Sequence, residues 1–185
     1  MRKRDRANDL GIYRNHRRIE REMSTGKIPY SRAESENWVY CLTLQINHAE
    51  GLDPPILYPE LPIGERNYRV VFWVGSNPSS DRRYATSESG EALEPVWKER
   101  AQIPLGRFLD PEVLNVEVVR VNAWSDPGPS TGIVLVGRTQ IPLPSPWSVS
   151  KKKGGRFGLV RPVGDGYRGE GHISISMELK RARDD

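Results

Sequence analysis

One cysteine, three histidines, three phenylalanines and no apolar run approaching the length of a membrane-spanning helix leave little room for several kinds of function in these 185 residues. Cys41 has no partner for an internal disulfide. Without a C-x-x-C pair or a Cys/His cluster, a structural zinc site is excluded as well, which suits a reducing compartment. The opening "MRKRDRANDL" has no apolar segment behind it, so no secretory signal is expected. Arg2 and the ending "RARDD" argue against myristoyl and prenyl anchors. A cytoplasmic protein follows.

Catalytic groups are equally scarce. His16, His48 and His172 fall in an N-terminal segment, at a strand end and in a late strand, and none is spaced with Cys41 or a serine as a nucleophile and base would be. The glycine-rich "GDGYRGEG" (164–171) lacks the Lys-Ser/Thr and the following helix of a phosphate-binding loop, and reads as a hairpin. A protein that is not an enzyme is expected.

What the sequence does have is charge at one end and alternation everywhere else. Residues 1–36 carry ten Lys or Arg against six Asp or Glu, whereas residues 37–185 carry eighteen of each, so the first segment supplies the whole net charge of +4. Ile12, His16, Ile19 and Met23 share one face of a weak helical stripe. Residues 1–36 therefore read as a flexible basic arm, disordered or transiently helical, in which "RKRDR" resembles a nuclear-import patch and implies a nuclear pool. The remainder is neutral and has no base-stacking platform, so nucleic acid is not the expected partner.

From Trp38 onward the period is two. "WVYCLTLQI" puts Leu42, Leu44 and Ile46 on one face and Thr43, Gln45 and Asn47 on the other. Similar runs follow at 68–74, 82–87, 96–105, 113–121, 133–143, 156–161 and 172–179, separated by turn-forming segments such as "GSNPSSD" and "SDPGPSTG". Eight antiparallel strands in a β-sandwich are predicted for a single domain over 37–185. Strands running alternately up and down place the connections after odd-numbered strands at one end: Gly51–Asn67, Glu88–Pro95 and Ala123–Gly132. "SKKKGGR" (150–156) reads as a loop at the opposite end.

The order of these strands resembles a C2 domain. "LTLQINHAEGL" is similar to that family's first strand, "EPVWKERAQIPL" to its Pro-x-Trp strand, and "LNVEVVRV" with "LVGRTQIPL" to the two strands that follow. "GLVRPVGDGYRGEGHISISMEL" resembles the ending of the small plant C2 proteins of the cold-induced and BONZAI-associated kind. The resemblance covers about residues 38–180 and implies a Greek-key sandwich that docks on phospholipid membranes or proteins, often through calcium held by loop carboxylates. By analogy it also implies plant stress or defence signalling.

Calcium needs six to eight oxygens, many from carboxylates. Asn67 beside Arg66 stands where the family has an aspartate, and Ala123 and Ser125 stand where further ligands are expected. Asp53, Glu65 and Asp126 remain as residual candidates, so no metal or other cofactor is expected, and membrane contact is expected to be calcium-independent.

Two routes to an anionic phospholipid surface remain. Arg69 and Trp73 share one face of the second strand and Arg83 lies on the next, which resembles the concave phosphoinositide surface of some C2 domains. The proline-stiffened 51–67 connection carries Leu57, Tyr58 and Leu61, which suit a bilayer interface or a partner's groove. A peripheral, monomeric adaptor is the reading. Its alternative is a purely protein-binding C2 domain that uses this loop and the basic arm without meeting lipid.

Overall fold

A computed structural model describes residues 38–75, 82–106, 113–124, 131–145 and 148–183. The expected arm over 1–36, together with Ser125 and Asp126, lies outside the described residues. All eight strands are present: β1 (Trp38–Glu50), β2 (Asn67–Val74), β3 (Tyr84–Ala85), β4 (Val96–Gly106), β5 (Val113–Val121), β6 (Val134–Pro142), β7 (Lys152–Val163) and β8 (Gly166–Arg183). A 3-10 turn, Ile63–Glu65, lies between β1 and β2.

The strands form one curled antiparallel sheet in the order β3-β2-β5-β6-β7-β8-β1-β4. β6 and β7 share just one register pair, Arg138 with Val160, so the sheet folds there into two leaves. Between them lies one apolar core. Val70, Phe72, Val116 and Val118 from one leaf meet Leu42, Leu44, Ile175 and Met177 from the other. The period-two pattern accounts for this, since alternate side chains of each strand face the same way.

Pro95 and Trp97 show how a loop delivers a strand to that core. Pro95 has no N–H to offer a ladder, but its carbonyl accepts a hydrogen bond from the Ala49 N–H at 2.9 Å, which pins the mouth of β4 to the end of β1. Between the pairs Ile46–Glu99 and His48–Val96, β4 holds one extra residue. Lys98 takes up that bulge with a φ of 54°, and Trp97 packs against the core.

Two boundaries differ from the sequence reading. "SKKKGGR" is not a loop over its length, because β7 begins at Lys152 and continues through Gly154 and Gly155. Its register with β8 runs from Lys152–Glu178 to Val163–Gly166, and that long hairpin ladder outweighs the low strand propensity of glycine. β3 is shorter than the 82–87 run, pairing with β2 only at Tyr84 and Ala85.

Since every neighbouring pair is antiparallel, the β1–β2, β3–β4, β5–β6 and β7–β8 connections emerge at one end. Hydrogen bonds tie them there. The Ala92 N–H donates to the Arg66 carbonyl at 3.1 Å, and the Ala123 N–H to the Gly132 carbonyl at 2.9 Å.

Candidate functional site

The four-loop end is organised around a buried carboxylate. Asp53 follows the turn at Gly51, has a φ of 38° and is fully buried. Its Oδ1 accepts a hydrogen bond from Arg161 Nη2 at 2.6 Å, its Oδ2 one from the Tyr68 hydroxyl at 3.3 Å, and Arg120 Nε lies 3.4 Å from Oδ2. Arg66, itself buried, donates to the Asp53 carbonyl at 2.6 Å.

A second buried acid, Glu170 on β8, sits beside the first. Arg168 Nη2 donates to it at 3.1 Å, and Arg161 Nη2 approaches it at 3.5 Å, so Arg161 bridges two carboxylates. Arg161 Nε also donates to the Val136 carbonyl at 2.7 Å. The Tyr58 hydroxyl accepts from both Arg161 and Arg168.

Burial raises the Tyr58 phenol, an effect partly offset by the neighbouring Arg161. Burial, reinforced by the Asp53 charge, raises Tyr68 further. Both rings therefore stay neutral around physiological pH. Arg66, Arg120, Arg161 and Arg168 thus surround the two buried acids at the centre of this end, while Glu60, Glu65, Glu88, Glu91, Glu94 and Asp165 lie in the connections around them.

This arrangement does not fit a calcium ion. Both Asp53 oxygens already face guanidinium or phenol donors, and the cation would have to enter a group of arginines. Ala123, where a ligand was expected, is fully buried and ties its N–H to Gly132. Among the described residues, no group of three or more His, Cys, Asp or Glu is placed to hold a metal. Glu65 lies in the 3-10 turn and belongs to no such group.

Around this polar centre runs a rim of exposed apolar side chains. Ile56 is 89% exposed and Trp124 69%, and Leu57, Leu93 and Ile133 are each about half exposed. Val96 and Val163 flank the β3–β4 and β7–β8 connections, with Tyr167 and Val160 close by. Every exposed large hydrophobic side chain among the described residues thus belongs to the four-loop end or to strand residues near it.

Of the three loop residues singled out from the sequence, Leu57 joins this rim and Leu61 is half-buried. Tyr58 does not project outward as expected, because its hydroxyl is held by two arginines. Ile56 stands out in its place, since hydrogen bonds from the Leu57 and Tyr58 N–H groups to the Pro54 carbonyl fix a tight turn with Ile56 on its outside.

The second expected surface lies on the outer face of the β3-β2-β5-β6 leaf. Arg83 stacks over the Trp73 ring, 4.4 Å from its centre, so that pair is brought together. Trp73 is nonetheless only 6% exposed, and its Nε1–H has no hydrogen-bond partner. Arg69 is diverted to an ion pair with Glu88 at 2.8 Å, which offsets its charge. Trp73 and Arg83 line a cleft of about 620 Å³ that extends past Asn115, Glu117 and Gln140 to Arg138 and Tyr167. The last two escaped the sequence reading because only the β5–β6–β7 pairing brings them beside the β2 tryptophan.

No protein-family model matches the sequence, and no curated protein matches it. Solved structures do. The chain is similar to a C2 domain of a plant extended synaptotagmin 1, with a TM-score of 0.52 and 18% identity over 76% of this chain and 93% of that one. A structure described simply as a C2 domain gives a TM-score of 0.51 and 16% identity over 76% and 98% of the two chains. A human GIVD cytosolic phospholipase A2 gives 0.54 and 15% over 78% of this chain but 18% of that one, so the likeness spans only part of that larger enzyme. At these identities the likeness establishes architecture: residues 38–183 have the fold of a C2 domain.

Proposed function

We propose that this protein is a non-catalytic docking module that seats its four-loop end on an anionic phospholipid membrane without calcium. The observation that carries the reading is the placement of the exposed large apolar side chains at that one end. Trp124, Ile56 and Leu57 suit the interface between headgroups and acyl chains, where tryptophan is favoured. Each half-exposed aliphatic side chain that leaves water there contributes roughly 1 kcal/mol.

Calcium is dispensable in this reading because guanidinium groups already hold the loops. Arg161 joins the β1–β2 loop to β6 and β8, the part that a bridging divalent cation would otherwise take. Trp73 and Arg83, toward the end of β2 away from the four loops, offer a headgroup a separate contact at the outer-face cleft. A basic arm over 1–36 adds long-range attraction to the same surface. The likeness to small plant C2 proteins makes a place in membrane-linked stress signalling part of the proposal.

Sedimentation with phosphatidylserine vesicles tests it. Binding in EGTA that falls on Trp124→Ala and Leu57→Ala substitution supports the reading. Binding only when calcium is present refutes it.

A further inference from the structure

We propose that the outer edge of β7, over Lys152–Gly158, adds an extended acidic segment of a partner protein as a further strand. This edge begins at Lys152, where β7 leaves the connection opposite the four loops, and rises to Gly158, which is level with Glu50 at the end of β1.

β8 pairs with one edge of β7 from Lys152 to Val163. On the other edge, among the described residues, pairing is confined to Val160 with Arg138. Residues 152–158 therefore keep a row of main-chain donors and acceptors facing away from β8 with no ladder partner on that side among the described residues. The row faces solvent, since Lys152, Lys153, Gly154, Gly155, Arg156 and Gly158 are all exposed. Such an edge is a template for strand addition, in which main-chain hydrogen bonds supply affinity and side chains supply selectivity.

Access is open as well. Three of the seven residues are glycine, and a Cβ added at Gly158 would meet nothing within 4 Å. Gly158 and Val160 also line the 620 Å³ cleft, facing Thr139 and Gln140 across the gap where β6 and β7 part. A strand laid on the edge runs toward that gap and the exposed Arg138.

Charge selects the occupant. Lys151, Lys152 and Lys153 are exposed and form no ion pair among the described residues, while Arg156 is held by Glu50. A second copy of this edge brings more cations and no acid to Lys151, Lys152 and Lys153, so it offers them no counter-charge. Residues 1–36 share the same sign and are disfavoured for the same reason. An acidic extended segment satisfies both the backbone row and the lysines.

The probe is an end-capped, fluorescein-labelled peptide of alternating glutamate and threonine, about seven residues long to match 152–158. Anisotropy reports binding to the full chain, and amide hydrogen exchange reports where it binds. The proposal expects slowed exchange within 152–158 and a loss of affinity of about tenfold for the Lys152→Glu/Lys153→Glu variant. It also expects a similar loss when alternate residues of the peptide are N-methylated, which removes main-chain donors and leaves the charge unchanged. Equal binding of the N-methylated peptide would overturn strand addition in favour of charge attraction alone. Unchanged exchange over 152–158, or no binding at about 1 mM peptide, would overturn the site itself.

Discussion

Replacing Arg161 by methionine removes the cation that joins three elements and keeps much of the apolar stem. The wild-type guanidinium lies 2.6 Å from Asp53 Oδ1, 2.7 Å from the Val136 carbonyl and 3.5 Å from Glu170, and its side chain is 12% exposed. Both carboxylates are fully buried, so neither can recover solvation without opening the loop end. Removing one partner of a buried ion pair typically costs about 3–5 kcal/mol, because the charge left behind is uncompensated. Arg120 and Arg168 remain near the two acids and hold the expected loss to the lower part of that range.

Urea unfolding followed by tryptophan fluorescence measures it. With a slope of about 2 kcal/mol per molar urea, the midpoint should fall by about 1.5 M. A lysine at 161 should recover only part of this, since a single ammonium cannot reproduce the planar fork that reaches several acceptors. A midpoint within about 0.3 M of wild type would refute the reasoning, because the carboxylates would then have to be compensated by something other than Arg161.

Three further outcomes follow from the same geometry. Tyr68 has its phenol raised above the ordinary value of 10.0, so the folded state binds its proton more tightly than the unfolded chain does. That stability is present in full below about pH 10 and lost as pH rises toward the folded value, so the urea midpoint should fall progressively above about pH 10. Tyr68→Phe should flatten the drop, and an equal slope in the variant would exclude Tyr68 as its source. Gly171 has a φ of 82°, and a Cβ there would overlap the Glu50 carbonyl oxygen, where β8 crosses the end of β1. Gly171→Ala should cost at least about 2 kcal/mol or abolish soluble expression, whereas wild-type stability would show that this crossing yields easily. Trp73→Leu should remove the surface on which Arg83 stacks and weaken inositol-phosphate headgroup binding in isothermal titration calorimetry. An unchanged affinity would remove the outer-face cleft from the docking surface.

Strands were legible because each presents its alternation locally. Tyr68, Val70 and Phe72 against Arg69, Val71 and Trp73 need only the period of two to assign a core face and an outer face, and the structure keeps that division. Lys152–Gly155 was not legible as strand, because glycine and lysine carry little intrinsic preference for it and the pairing that holds it comes from β8. The loop-end cluster was less visible still. Asp53 and Arg161 are 108 residues apart, and Tyr58 and Arg168 are 110, so proximity depends on how β7 and β8 return beside β1.

The family resemblance left Asp53 as a residual metal candidate, yet its environment is set by arginines on two strands and a loop. Tyr58 was misjudged for the same reason, since an aromatic in a proline-rich loop looks available until its hydroxyl partners are known. Arg69 likewise read as free charge, and the Glu88 that offsets it lies nineteen residues away in a connection without regular structure.

The most direct test of the central claim is co-sedimentation of the full chain with phosphatidylserine vesicles, in calcium and in EGTA, alongside the Leu57→Ala/Trp124→Ala variant. The account predicts equal binding of wild type in the two buffers, weakened by salt, and a loss of about tenfold in the variant. Binding abolished by EGTA, or retained in full by the variant, would contradict it.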